Sequence, residues 1–176
     1  SSDLDIALWD IMGKQCGQPI HKLIGGAYRT QVTAYATGLY FIDMDRLIQE
    51  AVEEAESYVE EGFVAIKMKI GLGSLRLDIA RVEAVRKAIG DDVRLMVDAN
   101  HCVTVPQAIR LGRELEKLNV EWFEEPISPE DLDGYIEVTR ALDMAVAGGE
   151  NEFTRWGFRS EEHTSELQSR FGISYA

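Results

Sequence analysis

The stretch that decides the fold is residues 93–124, which read VRLMVDANHCVTVPQAIRLGRELEKLNVEWFE. An apolar segment ends in Asp98, a helical pattern follows, and a second apolar segment ends in Glu124. The residues TVPQ at 104–107 predict a capping box with proline in the first helical turn. A strand, a helix and a strand in about 30 residues predict a βαβ unit with parallel strands.

The same unit recurs on both sides of this stretch. We predict strands at residues 31–36, 63–69, 93–98, 120–124 and 144–150. We predict two leading helices at residues 3–16 and 19–23, and helices between the strands around residues 48–59, 79–89, 104–118 and 128–142. Short apolar strands alternating with helices are typical of a parallel sheet covered by helices.

Two folds contain such a sheet, a doubly wound sheet and part of a (β/α)8 barrel. Neither GxGxxG nor GxxxxGK[ST] follows a predicted strand, and this weakens the nucleotide-binding versions of the doubly wound fold.

Composition and charge exclude several classes of function. The chain has 176 residues, 45% of them hydrophobic, and 18 basic against 31 acidic residues give a net charge of −13. This charge argues against a nucleic acid or an anionic membrane as partner. Apolar runs are much shorter than the roughly 20 residues of a membrane helix. The cysteines Cys16 and Cys102 lie far apart, outside any CxxC spacing, and we expect reduced thiols and a cytoplasmic location.

Acidic residues recur at the ends of three predicted strands. Asp98 and Glu124 are 26 positions apart, and Glu124 and Glu150 are again 26 positions apart. Adjacent parallel strands lie about 4.8 Å apart, so the three carboxylates are expected to converge on one ion. Oxygen ligands of this kind suit Mg²⁺, with Mn²⁺ as a possible alternative. Each acid taken alone is more simply explained as a helix cap or a surface charge.

Lys67 and Lys69 end the second predicted strand and are two positions apart, so their side chains share one face. A lysine that lies beside a bound cation has a lowered pKa, which suits a general base. Asn100 follows Asp98 by two positions and is expected on the same side of the pocket; stabilisation of a turn is its alternative role. We expect His101 to be a loop histidine rather than a catalytic one.

Five motifs resemble those of the mandelate racemase/muconate lactonizing enzyme family of the enolase superfamily. They are DIALWDIMGKQCGQPIHKLIGG at 5–26, KMKIG at 67–71, DAN at 98–100, EEP at 124–126 and GEN at 149–151. The resemblance implies an α/β fold, a partial (β/α)8 TIM-like barrel of about five strands. It assigns residues 1–28 to the end of an α+β capping domain and residues 29–158 to the first part of the barrel.

The resemblance also implies roles for six residues. Asp98, Glu124 and Glu150 would be Mg²⁺ ligands, Lys69 the general base or acid, Lys67 the group that holds the substrate carboxylate, and Asn100 a contact to its oxygens. Enzymes of this superfamily remove a proton α to a carboxylate, using a Lys or His base and Mg²⁺. Glu125 is expected to point away from this site and to be structural.

A Glu as third ligand and Asn100 after Asp98 resemble the acid-sugar dehydratases and mandelate racemases of the family. We therefore expect a carbon–oxygen lyase that dehydrates an acid sugar to a 2-keto-3-deoxy acid. The alternatives are a racemase or epimerase of a 2-hydroxy acid, and a catalytically inactive half-barrel that only binds metal. The expected partner is a small carboxylate substrate, and the parent enzyme is expected to be a homo-oligomer.

The sequence departs from the family at both ends. Chains of this family are longer, and this one lacks an initiator methionine, so we expect a truncated record of a longer gene. Residues 159–176, RSEEHTSELQSRFGISYA, resemble the in-frame translation of a sequencing adapter, and we expect them to be a non-native read-through tail. A half barrel leaves open edge strands, so we expect the truncated chain to fold poorly and to be inactive.

Overall fold

The computed structural model describes the backbone of residues 2–152 and 171–173 and the side chains of residues 3–152. These form two compact units, Ser1–Thr33 and Ala34–Ala176. The first unit contains helix α1, Ser2–Cys16, and the short helix α2, Ile20–Leu23. Both leading helices lie where the sequence predicts them.

The second unit alternates strands and helices. Its elements are β1 (Ala36–Gly38), α3 (Leu47–Glu60), β2 (Ala65–Lys69), α4 (Leu75–Ile89), β3 (Arg94–Asp98), α5 (Val105–Lys117), β4 (Val120–Glu124), α6 (Leu132–Ala141), β5 (Ala145–Gly148) and β6 (Phe171–Ile173). Every strand pairs in parallel with the next, in the order β1-β2-β3-β4-β5-β6. A doubly wound sheet reverses its strand order, so this sequential order excludes it and shows a partial α/β barrel.

Several predicted boundaries are shifted, among them the first strand and the start of helix α6. The first strand is expected at residues 31–36 but occupies Ala36–Gly38, because its partner β2 begins only at Ala65 and pairs Ala36 with Ile66. Helix α6 is expected from residue 128 but begins at Leu132.

The later start of α6 has a local cause. The side chain of Asp131 accepts a 2.9 Å hydrogen bond from the backbone N–H of Gly134. This N-cap satisfies a helical donor that Ser128 does not reach, so Ser128-Pro129 precedes the helix. The other predicted start, before α5, is confirmed, because Thr104 and Gln107 form a capping box.

The core lies between one face of the sheet and the helices. Alternate strand residues point toward the helices and are buried there: Ile66, Met68, Leu95, Val97, Phe123 and Val146. Helix residues of the same core include Val82, Val85, Leu111, Leu115 and Val138. Because side chains alternate along a strand, the polar residues Lys67, Lys69, Asp98 and Glu124 belong to the opposite face.

Strand β6 lies in the segment that we expect to be a read-through tail. It extends the sheet by pairing Val146 with Phe171 and Gly148 with Ile173. Residues 159–170 and 174–176 of that segment lie outside the described residues, and its origin stays a prediction. Across the described part of the chain, each helix is too short or too polar to cross a membrane.

Candidate active site

The pairing of neighbouring strands in the second unit aligns three polar residues across the sheet. Lys69 lies opposite Asp98 in the β2–β3 pair, and Asp98 lies opposite Glu124 in the β3–β4 pair. All three occupy the carboxyl ends of their strands, where parallel α/β sheets place their ligands.

Glu150 joins this group from a turn. Strand β5 ends at Gly148, two residues before Glu150, so the predicted strand end at residue 150 is too late. Asp98, Glu124 and Glu150 each offer a carboxylate oxygen, and these oxygens lie within 4.8 Å of one another. Asp98 and Glu124 are buried, whereas Glu150 is exposed.

The two lysines neutralise part of this charge. Nζ of Lys67 donates a 2.7 Å hydrogen bond to Oε1 of Glu124 and lies 3.7 Å from Oδ2 of Asp98. Nζ of Lys69 donates to Oδ2 of Asp98 at 2.5 Å. The structure therefore brings together five of the six predicted site residues through acid–acid and lysine–acid contacts.

The sixth, Asn100, contributes to the pocket and to a turn. Its Oδ1 accepts a 2.8 Å hydrogen bond from Nζ of Lys69, and its backbone N–H donates to Oδ1 of Asp98 at 2.9 Å. Its φ of 41° lies in the left-handed region, which asparagine tolerates better than most residues. The side chain of Asn100 thus contacts Lys69, and its backbone N–H contacts Asp98 two positions earlier.

The electrostatics of Lys67 differ from the sequence-based expectation. Burial lowers the pKa of Lys67, but the hydrogen bond that Lys67 donates to Glu124 and the charges of Glu124 and Asp98 outweigh it, so its pKa is raised. The expectation of a lowered pKa assumed a cation beside the lysine, whereas here the carboxylates stabilise the ammonium form.

The donor set fits a hard divalent cation. Three carboxylates that lie within 4.8 Å of one another repel unless positive charge lies among them. Carboxylate oxygens are the ligands that Mg²⁺ prefers, and Mg²⁺ needs only part of its coordination sphere from the protein. Asp98, Glu124 and Glu150 are the residues that would hold it.

Two aromatic residues near the site were missed by sequence reasoning. Nε1 of Trp122 donates a 3.2 Å hydrogen bond to Oε2 of Glu124. The rings of Trp122 and Tyr35 meet edge to face at 5.9 Å, and Nζ of Lys67 lies 5.5 Å from the Tyr35 ring. The available signal was the period of two, since Trp122 precedes Glu124 by two positions on β4.

A buried arginine supports the end of β2 from the helix side. Arg81, in α4, is fully buried and donates 2.9 Å hydrogen bonds to the carbonyls of Lys69 and Leu39. One turn earlier, Asp78 accepts from the backbone N–H of Gly71 at 3.1 Å. Burial raises the pKa of Asp78, and the hydrogen bond and the charge of Arg81 oppose that effect. Arg81 and Asp78 therefore hold the backbone where β2 ends, at the carbonyl of Lys69 and at the N–H of Gly71.

Glu125 also lies at this end of the sheet and is fully buried. Its Oε1 accepts a 2.9 Å hydrogen bond from Nδ2 of Asn151, and its Oε2 lies 3.2 Å from Nδ1 of His101. Burial raises the pKa of Glu125, the hydrogen bond from Asn151 lowers it, and the charge of Glu150 raises it further. Glu125 is therefore linked to the loops that follow β3 and β5.

Comparison with known families accounts for this arrangement. The family described as "Enolase C-terminal domain-like" matches residues 50–162, more than half of the chain. The chain belongs to the mandelate racemase/muconate lactonizing enzyme family of the enolase superfamily. The matched residues include the six predicted site residues, so the sequence motifs and the family assignment agree.

Individual relatives in this family are enzymes of sugar acids or their lactones by name. The chain is 46% identical to the arabinonate dehydratase of Saccharolobus solfataricus over 89% of its own length and 42% of the relative's. It is 49% identical to the D-galactarolactone cycloisomerase of Agrobacterium fabrum over 89% of its own length and 41% of the relative's.

Solved structures of the family share the fold. The D-glucarate dehydratase of Agrobacterium tumefaciens, crystallised with magnesium, superposes with a TM-score of 0.83 at 35% identity. That match covers 93% of this chain and 45% of the other. The chain thus spans less than half the length of these relatives.

Proposed function

We propose that this chain supplies the metal site and one acid–base lysine of a Mg²⁺-dependent enzyme that dehydrates an acid sugar to a 2-keto-3-deoxy acid. The observation that carries the proposal is the placement of Lys69 beside Asp98 at the edge of the three-carboxylate cluster. A base and a cluster of hard ligands are the two components that removal of a proton α to a carboxylate requires.

The α-proton of the substrate is very weakly acidic, because its loss places a second negative charge on the substrate. When bound, Mg²⁺ would supply positive charge against the carboxylate oxygens as that charge develops. Lys69 in its neutral form takes the α-proton at Nζ, and the β-hydroxyl then leaves as water after protonation by a further acid. Lys67 holds the substrate carboxylate, and Asn100 contacts its oxygens.

A second candidate outcome is isomerisation. The relative named D-galactarolactone cycloisomerase is 49% identical over 157 residues, and it favours a reaction that shares proton removal but differs in the fate of the intermediate. A racemase or epimerase of a 2-hydroxy acid would likewise return a proton rather than expel a hydroxyl. Lys69 has the same first role in each of these reactions.

The proposal concerns the full-length product of the source gene, because this chain spans less than half the length of its relatives. It includes a cytoplasmic location, a small carboxylate substrate, a homo-oligomeric parent and Mn²⁺ as the alternative ion. Free, exposed Cys16 and Cys102 are compatible with a reducing compartment.

For the 176-residue chain by itself, the alternative is a half-barrel that binds metal without catalysis. We expect this chain to fold poorly and to be inactive, because strand edges that a closed barrel pairs are left open. Its recovery as a soluble monomer with cooperative unfolding would contradict that expectation.

The deciding experiment is a screen of acid sugars with the full-length gene product and Mg²⁺ in D₂O. A dehydratase forms a 2-keto-3-deoxy acid, which a carbonyl reagent traps, whereas a racemase or epimerase exchanges the α-proton without a new carbonyl. A cycloisomerase converts a lactone without loss of water. Absence of both a trapped 2-keto product and α-proton exchange with every acid tested would reject the proposed function.

A further inference from the structure

Glu150 differs from the other two acids of the candidate metal site in how it is held. Asp98 and Glu124 are buried at strand ends and each accepts a hydrogen bond from a lysine. Glu150 is exposed and lies two residues after β5. A ligand on an exposed turn needs another constraint to keep a defined position, since loose ligands bind metal weakly.

The turn itself is well defined. The backbone N–H of Glu152 donates a 3.0 Å hydrogen bond to the carbonyl of Gly149, so Glu150 and Asn151 are the two central residues of a β-turn. Gly149 has a φ of 117°, a conformation that a residue with a side chain rarely adopts. Anchoring the Asn151 side chain therefore also restrains Glu150, because the two share this turn.

That anchor is Glu125. Its Oε1 accepts a 2.9 Å hydrogen bond from Nδ2 of Asn151, and its carboxylate is fully buried. The backbone of Glu125 is fixed to β5 as well, since its N–H donates to the carbonyl of Ala147 at 2.9 Å. The anchor is thus attached to the same strand from which the turn departs.

The other side of the Glu125 carboxylate meets the loop after β3. Oε2 lies 3.2 Å from Nδ1 of His101, and the backbone N–H of His101 donates to the carbonyl of Glu125 at 2.7 Å. His101 directly follows Asn100, as Asn151 directly follows Glu150. Glu125 therefore bridges the two loops that carry the candidate ligand Glu150 and the candidate substrate contact Asn100.

We infer that Glu125 is a positioning residue that acts through Asn151 to hold the Glu150 carboxylate in place as a metal ligand. The inference rests on the proposed metal site and adds to it a residue outside the three candidate ligands. Outer hydrogen-bond partners of metal ligands typically contribute 10- to 100-fold to affinity. An effect of that size is expected here.

A purely electrostatic role for Glu125 makes a different prediction. If its negative charge only attracted the cation, Asn151→Ala would leave the affinity unchanged, and Asn151→Asp would raise it by adding a negative charge. If Glu125 positions Glu150 through the hydrogen bond, both substitutions weaken binding, because neither alanine nor aspartate donates to Oε1. Asn151 is exposed, so these substitutions leave the core intact.

The test is isothermal titration of the full-length gene product with MgCl₂. We expect Asn151→Ala and Asn151→Asp to raise the Kd for Mg²⁺ about 10- to 100-fold. Asn119→Asp is the matched control, because it adds the same charge just before β4, at the opposite end of that strand from Glu124, and should leave the Kd unchanged. Glu125→Gln keeps an oxygen that can accept from Asn151 and should weaken binding less than Glu125→Ala, with folding checked by circular dichroism.

The outcomes separate the inference from the proposed function. Mg²⁺ binding by the wild type with an unchanged or tighter Kd for Asn151→Asp would overturn the positioning role alone. A wild type that binds no Mg²⁺ would overturn the metal site and, with it, the inference. Weaker binding by both Asn151 variants and unchanged binding by the control would support it.

Discussion

Nζ of Lys69 donates a 2.5 Å hydrogen bond to Oδ2 of Asp98, the residue directly opposite it in the parallel pairing of β2 and β3. The candidate base and a candidate metal ligand are therefore neighbours before any substrate is present. The same ammonium group donates to Asn100 at 2.8 Å. In the proposed mechanism, Lys69 takes the α-proton from this position beside Asp98.

This relationship predicts the effect of replacing Lys69. In the full-length gene product, Lys69→Ala should reduce loss of the substrate α-proton, by dehydration or by exchange with D₂O, by about 100- to 10,000-fold, the usual contribution of a positioned general base. The measurement is proton NMR of the substrate over time. Lys117→Ala, which removes an exposed lysine paired with Glu114, should exchange at the wild-type rate. Retained exchange in Lys69→Ala would refute the role of Lys69.

Glu124→Gln should abolish measurable Mg²⁺ binding and the activity that depends on it. The substitution keeps the shape of the side chain but removes one of three carboxylates and leaves Lys67 without its 2.7 Å ion pair. Direct ligands contribute more than the 10- to 100-fold typical of outer partners, so we expect a loss above about 100-fold. Titration calorimetry measures it. The control is Glu121→Gln, an exposed acid on the same strand, and a similar loss there would argue against a site at Glu124.

Arg81→Ala should destabilise the fold much more than Arg94→Ala. Removing the fully buried guanidinium of Arg81 leaves the carbonyls of Lys69 and Leu39 without their donor, and a hydrogen bond to a charged group contributes about 1.5–3 kcal/mol. Arg94 pairs with Glu121 at the surface, where an ion pair contributes about 0–1 kcal/mol. Urea unfolding of the full-length gene product compares the two. Equal losses would show that Arg81 does not fix the end of β2.

The hydroxyl of Tyr58 should lose its proton at a higher pH than that of an ordinary tyrosine. Its hydroxyl donates a 2.6 Å hydrogen bond to Glu54, and this bond, partial burial and the Glu54 charge raise the pKa of Tyr58 from 10.0 to about 12. Because the folded-state pKa is the higher one, this stabilising contribution is complete below about pH 10 and disappears as pH rises through about 12. Absorbance titration of tyrosinate measures this. Tyr58→Phe should remove the titration phase at the highest pH, and Glu54→Ala should shift that phase to lower pH. An unchanged titration curve in both variants would contradict the raised pKa of Tyr58.

The tail gives a prediction about the gene. DNA amplified from the source across the codon for Phe158 should depart from the sequence that encodes residues 159–176. Sequencing of that product is the measurement. Continuation into RSEEHTSELQSRFGISYA would show that the segment is natural, and strand β6 would then be part of the native sheet.

Most of the fold was predictable because local signals and tertiary packing agree. The helices α3, α4 and α5 end or begin where glycine or a capping box indicates, and β2 to β4 end in the predicted charged residues. The first strand was misplaced because the alternation in QVTAYA is a local signal, whereas strand bounds also depend on where the neighbouring strand begins. No single-strand pattern contains that information.

The candidate site was predictable at strand ends and at Asn100 and Glu150 just beyond them, but not where it depends on contacts between loops. Equal spacing indicated Asp98 and Glu124, and Trp122 could have been added from its position on the same face. The bridge from Glu125 to Asn151 and His101 depends on the conformations of two loops, and no periodic pattern describes these. From the sequence, Glu125 was therefore expected only to point away from Glu124 and to be structural.

The register between neighbouring strands has a consequence for how such a site tolerates length changes. Lys69, Asp98 and Glu124 are aligned by backbone pairing, so lengthening α4 or α5 would alter the 29-residue interval from Lys69 to Asp98 or the 26-residue interval from Asp98 to Glu124 and leave the cluster intact. Deleting one residue within β3 would instead turn Val97 toward the pocket and Asp98 toward the helices. Insertions should therefore accumulate in the helical connections of homologous genes, while the strands retain their length.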